Sequence, residues 1–126
     1  MNAAVRIACA LALAAAAATP LRAQEPERLK RSEIRALFKN NEMTATNPNG
    51  LSFTEVYSSD GTFKASSKRR DGSCCATDVG RWAVEGNMLC KQYSVWQGGQ
   101  LRCSYITKDA QGYSTGSGMR MTFKRN

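Results

Sequence analysis

The rhythm of apolar and polar positions changes twice along this chain. Residues 7–18 form an unbroken apolar run, mostly alanine, preceded by Arg6 and followed by Pro20 and the small Ala23. After a charged stretch the spacing becomes helical. Ser32 stands where an N-cap belongs, Glu33 complements the positive helix end, and Ile34, Leu37 and Phe38 form an i, i+3, i+4 apolar face. These residues predict one short helix over 32–39, ended by Asn40 and Asn41. Its face is too narrow to stand alone, so it must pack on something else.

From Asn47 onward the period is two, with turn residues at regular intervals. Leu51, Phe53, Glu55 and Tyr57 share one strand face, and Asp60-Gly61 is a hairpin signal leading into a second strand over 62–67. Residues 68–77 are polar, basic and turn-rich, which predicts a loop. A third strand over 79–84 puts Trp82 and Val84 on one face; Glu85-Gly86-Asn87 turns it into 88–95, and Gln97-Gly98-Gly99 turns that into 101–108. In the last strand Met119, Met121 and Phe123 alternate with Arg120, Thr122 and Lys124. The expected fold is therefore mainly β: an antiparallel up-and-down meander of about six strands behind one short N-terminal helix. Such a sheet must curl or close into a barrel-like shape to hide its edges.

The apolar run at the start has the order of a secretory leader, and its twelve residues fall short of the roughly 20 needed to span a hydrocarbon core. A cleavable signal peptide over 1–23 is expected, then a flexible lead-in over 24–31 and a single β-rich domain over 32–126. Export to the periplasm or beyond follows from that expectation, and so does a chain that does not span the membrane. Arg6 and Arg22 leave with the leader, so 16 basic and 10 acidic residues remain, a net charge of +6. A basic exported domain is drawn to anionic lipid, acidic glycans or acidic protein partners. Nucleic acid is disfavoured by the compartment and by the scatter of the charges, of which only Lys68, Arg69 and Arg70 form a cluster, read as a solvated loop.

With Cys9 removed, four cysteines remain, Cys74, Cys75, Cys90 and Cys103, an even count that reads as disulfides. Three pairings are possible. A Cys74–Cys75 bond would be strained, because neighbouring Cα atoms sit about 3.8 Å apart, below the usual disulfide window. Alternatively Arg69 and Arg70 would favour a thiolate at this pair and a redox role. The absence of histidine and of C-x-x-C spacing argues against a metal, and no cofactor motif is present; Gly112, Gly116 and Gly118 lack the strand-to-helix context of a phosphate loop.

The string Gly80-Arg81-Trp82, Gly86, Leu89-Cys90, Gly98-Gly99 and Cys103 resembles an uncharacterised family of small exported bacterial domains with a G-x-W, L-C and later C pattern. The resemblance runs from about Glu33 to Phe123, and it implies a Cys90–Cys103 bridge. The adjacent pair does not belong to that pattern. G-x-W also looks distantly like the first-strand signature of lipocalin-type barrels, in which the tryptophan closes one end and the other end admits an apolar ligand. Here Trp82 falls in the third expected strand, and the simpler expectation is that Gly80 ends a turn and Trp82 fills the core.

Lys91, Tyr93 and Trp96 join Trp82 as candidate ligand contacts, forming a basic aromatic surface for sugars or head groups; the plainer alternative puts Tyr93 in the core and Lys91 at an edge. Without histidine the Ser-His and Cys-His arrangements are excluded, and Glu55, Asp60, Asp78, Glu85 and Asp109 are expected mostly at turns. A noncatalytic binding module for an apolar small molecule, an anionic lipid or a glycan is the first expectation. A small envelope interaction or inhibitor protein that binds an acidic protein is the second.

Overall fold

The computed structural model describes residues 16, 26–68, 71–73 and 75–126. The leader predicted over 1–23, Ala16 apart, lies outside them, as do Arg69, Arg70 and Cys74. In chain order the elements are β1 (Glu27–Arg28), α1 (Arg31–Phe38), β2 (Asn41–Thr46), β3 (Ser52–Tyr57), β4 (Thr62–Ser67), β5 (Ala76–Glu85), β6 (Met88–Tyr93), β7 (Arg102–Ser104), β8 (Ile106–Asp109), β9 (Gly112–Thr115) and β10 (Arg120–Arg125).

All ten strands form one antiparallel sheet in the order β1-β8-β9-β10-β2-β3-β4-β5-β6-β7. The meander thus runs from β2 to β7, and the last strand returns to pair with β2. In a flat sheet β7 and β8 would stand roughly 38 Å apart at the usual strand spacing. Only Tyr105 joins them, and one linking residue spans no more than about 7 Å. The sheet must therefore curl until its two flanks meet, and it does so as a half-barrel.

The mainly β, curled architecture matches the sequence expectation, but with ten strands rather than six. The described part of the expected flexible lead-in is instead held: β1 pairs with β8, and buried Leu29 donates its N–H to the Ile106 carbonyl at 2.8 Å. β2 went unpredicted because only Met43 and Ala45 of its six residues turn inward, a weak apolar signal directly after a helix. β9 contributes Tyr113 as its one large apolar side chain, and 101–108 is broken at Tyr105 into β7 and β8. The helix begins one residue early. Glu33, not Ser32, caps it, accepting the Lys30 N–H at 3.1 Å, while Asn87 accepts that of Arg31 at 3.0 Å.

α1 buries Ile34 and Phe38. From Phe38 a line of rings runs through the interior, each pair edge-on or tilted: Phe38 to Tyr57 at 4.9 Å, Tyr57 to Phe63 at 5.4 Å, Phe63 to Tyr93 at 5.1 Å, and Tyr93 to Trp96 at 5.5 Å. Aromatic pairs in this geometry add to the burial that dominates small cores. Asp60-Gly61 makes the expected hairpin: Asp60 Oδ1 takes the Thr62 N–H at 2.9 Å and Gly61 supplies φ +88°.

Cys90 and Cys103 are opposite each other on β6 and β7 and are joined by a disulfide, with Cα atoms 4.0 Å apart. Closing a loop of this length stabilises the fold by about 3 kcal/mol through the entropy of the unfolded chain. Cys75 is also disulfide-bonded. The geometry of the adjacent pair falls outside the described residues because Cys74 does.

Gly80 does not end a turn. It lies inside β5 opposite Phe63 and Tyr93, and its missing Cβ is what lets the Phe63 ring lie against the backbone there.

Candidate functional site

The two ends of the half-barrel differ. At one end of β5, residues 82–85 lie beside Arg31 and Arg35 of α1. At the other, Ala76 lines a cavity of about 870 Å³ built from the connections at that end and from Tyr105. Its apolar lining includes Leu51, Phe53, Tyr93, Trp96 and Met119, and Lys91, Lys68 and Arg102 supply its cations. Among the described residues no Asp or Glu lines it. Arg28 lies over the Tyr105 ring, 4.0 Å from its centre. Among the described residues, Arg28, Lys68 and Arg102 make no ion pair.

Behind the cavity sits a buried polar cluster. Glu55, in the middle of β3, is fully buried, and both carboxylate oxygens are engaged: Tyr57 donates its O–H to Oε2, Tyr93 donates its O–H to Oε1, and Lys91 Nζ lies 3.1 and 3.0 Å from the two. Lys91 Nζ also donates to the Tyr93 hydroxyl at 3.3 Å and stands 5.2 Å from the centre of that ring. The Lys91 side chain keeps 20% of its surface exposed, so it connects the buried carboxylate to the cavity. Both tyrosines are held neutral, with pKa values raised above the ordinary phenol range. Burial is the first cause for each, followed by the Glu55 charge and the hydrogen bond to it.

The side wall depends on Asp78, an inward residue of β5. Its Oδ2 accepts the N–H groups of Trp96 at 2.8 Å and Val95 at 3.0 Å, and its Oδ1 accepts that of Val79 at 2.8 Å. These bonds, that of Trp96 first, hold the carboxyl below its usual range. A carboxyl whose folded pKa lies below its unfolded value stabilises the fold above about pH 4, and that contribution is lost as pH falls through the folded value. Acidification, or Asp78→Ala at neutral pH, is therefore expected to free the 94–101 connection, shifting Trp96 emission to the red and opening this segment to protease. An unchanged spectrum and digestion pattern in Asp78→Ala would rule out the anchoring.

Of the four candidate ligand contacts, Lys91, Tyr93 and Trp96 come together on the cavity and Trp82 does not. Trp82 lies toward the α1 end, its ring edge-on to Tyr57 at 5.6 Å and its Nε1–H donated to the Ser58 carbonyl at 3.0 Å. Lys91 is not at an edge: it faces inward from β6, opposite Trp82. Nor do Glu55 and Asp78 sit at turns. Glu55 and Tyr57 are the members of the buried cluster that sequence reasoning missed, although the place of Glu55 between Phe53 and Tyr57 on one strand face was a signal. A carboxylate at the centre of an otherwise aromatic face requires a buried partner.

Among the described residues no three His, Cys, Asp or Glu side chains are grouped to hold a metal, and no helix is long and apolar enough to cross a membrane. No protein-family model, no curated protein and no solved structure matches this chain.

Proposed function

We propose that the chain is an exported, noncatalytic binding module whose cavity takes a small amphipathic anion, with its apolar body among Phe53, Tyr93, Trp96 and Met119. The observation that carries this reading is the lining itself: aromatic and aliphatic side chains beside neutral polar ones, whose charged members among the described residues, Lys68, Lys91 and Arg102, are all cations. A volume of about 870 Å³ lies within the usual range for small-molecule sites. The apolar wall supplies affinity by burial, and Lys68 and Arg102 choose the sign of the head group. What supports a noncatalytic role is that the Glu55 oxygens are both engaged and the two phenols are held neutral, so the cluster offers neither a free base nor a nucleophile. Export is supported by the leader-like N-terminus and by the Cys90–Cys103 disulfide.

Trp96 is a built-in reporter, since the only other tryptophan, Trp82, stands apart from the cavity. In Trp82→Phe protein, decanoate is expected to change Trp96 emission saturably, decanol to bind more weakly, and decyltrimethylammonium more weakly still. Met119→Glu, which adds a negative charge to the wall, should weaken decanoate at least about tenfold, or ~1.4 kcal/mol. The reading fails if no probe gives a saturable change, or if the cationic probe binds as well as decanoate.

A further inference from the structure

The exposed apolar side chains are unevenly placed. Among the described residues five large hydrophobic residues are exposed, and four of them, Leu51, Val95, Leu101 and Tyr105, stand in or beside the connections that form the cavity end. Leu51 and Tyr105 line the opening itself. Val95 and Leu101, 74% and 65% exposed, flank the short turn Trp96–Gly99 on its two sides. Single exposed apolar residues are ordinary on a protein surface, but a group rimmed by polar residues marks an interaction site.

The rim is mainly cationic. Lys68 and Arg102 line the opening, and Arg28 lies over Tyr105. Asp71, the acidic residue of the β4–β5 connection, turns its carboxylate back onto the N–H and hydroxyl of Ser73, at 2.8 and 2.6 Å. In sequence Lys68 is followed by two further cations, Arg69 and Arg70. Apolar tips among unpaired cations match the boundary of a bilayer, where side chains enter the acyl region and cations meet anionic head groups. An acidic partner that met only the cations would leave the tips in water.

We infer that the open end of the half-barrel docks on a lipid surface rich in anionic head groups, through Val95, Leu101 and Leu51 as inserted tips and Lys68 and Arg102 as head-group contacts. The docked cavity then opens toward the lipid. This surface shares Leu51, Lys68 and Arg102 with the cavity on which the proposed function rests, but its tips Val95 and Leu101 lie outside that lining, so the two readings can fail separately.

Sedimentation of the purified protein with vesicles of phosphatidylcholine, alone or mixed with phosphatidylglycerol, tests it. The protein is expected to pellet with the mixed vesicles, less so as salt rises. Val95→Asp with Leu101→Asp should weaken binding by more than tenfold, and Lys68→Ala with Arg102→Ala by roughly 25-fold, about fivefold per lost cation. Circular dichroism and Trp96 emission check that each variant is folded; because these side chains are exposed, no loss of fold is expected. Decanoate titration of the Val95 and Leu101 variant separates the two claims. Retained decanoate binding with vesicle binding lost supports docking through the tips, and vesicle binding without any decanoate response overturns only the cavity reading. Failure to pellet with either vesicle, equal pelleting with both, or vesicle binding untouched by the Asp substitutions overturns the docking. So does equally tight binding to soluble polyglutamate that the Asp substitutions leave unchanged, which would identify an acidic protein partner.

Discussion

Glu55→Ala is expected to cost this protein about 4–6 kcal/mol of stability, read as a lowered midpoint in urea. The loss is the sum of what the carboxylate leaves behind. The Tyr57 hydroxyl is fully buried and has no second partner among the described residues; Tyr93 loses its acceptor, and the Lys91 ammonium loses the charge that balances it. Each buried hydroxyl without a partner costs about 1–3 kcal/mol. An ion pair broken from one side costs about 3–5 kcal/mol when both charges are buried, and less here because Lys91 is partly exposed. Against a typical stability of about 5–15 kcal/mol, this removes a large share. Replacing the whole cluster, Glu55→Leu with Tyr57→Phe, Lys91→Met and Tyr93→Phe, should lose much less, because no polar group is then left buried alone. If the single and fourfold variants lose equally, the cluster acts only through its volume.

The same cluster sets an alkaline limit. A tyrosine whose folded pKa is raised contributes stability that is complete below the unfolded value of about 10 and disappears as pH climbs toward the folded value. Two of the four tyrosines, Tyr57 and Tyr93, should therefore stay phenolic by ultraviolet absorbance until the protein unfolds.

The second large effect is expected at Gly80. A Cβ built there would stand 2.5 Å from Phe63 Cζ and would also collide with the Gln92 carbonyl oxygen. The Phe63 ring is fully buried between Tyr57 and Tyr93, and the Gln92 carbonyl is backbone, so neither can give way cheaply. Overpacking of this kind costs about 3 kcal/mol, a fall in Tm of about 15 °C for a domain of this size. Gly116→Ala is the control. Gly116 has open space around it, and its substitution should change stability by less than about 0.5 kcal/mol. Because Phe63 packs on Tyr93, Gly80→Ala should also disturb the floor of the cavity, and decanoate binding would fall with stability.

How far the sequence leads can be judged strand by strand. The period-2 stretches that carry large apolar residues, β3 through β6 and β10, are legible, as are the Asp60-Gly61 hairpin and the helix around Ile34 and Phe38. Elements with little apolar signal of their own are not. β1 has two polar residues, β2 turns only Met43 and Ala45 inward, and β9 presents Tyr113 between small polar neighbours. Their pairing is decided by partners distant in sequence, β8 for β1 and β10 for β2. The site divides in the same way. Tyr93, Trp96 and Lys91 were legible as an aromatic and basic group, whereas their meeting with Glu55, 36 residues from Lys91, depends on β3 and β6 facing each other across the curled interior.

By itself, then, the sequence determined a mainly β chain with one helix, a basic surface charge and the alternation that turns Phe53, Glu55 and Tyr57 to the same side. Local periodicity and turn chemistry suffice for that, because they act between neighbours. Only the tertiary structure decided the number of strands, the curl that Tyr105 imposes between β7 and β8, the burial of Glu55 and the gathering of apolar tips with cations at one end. These depend on contacts between segments far apart in the chain, which no local pattern encodes.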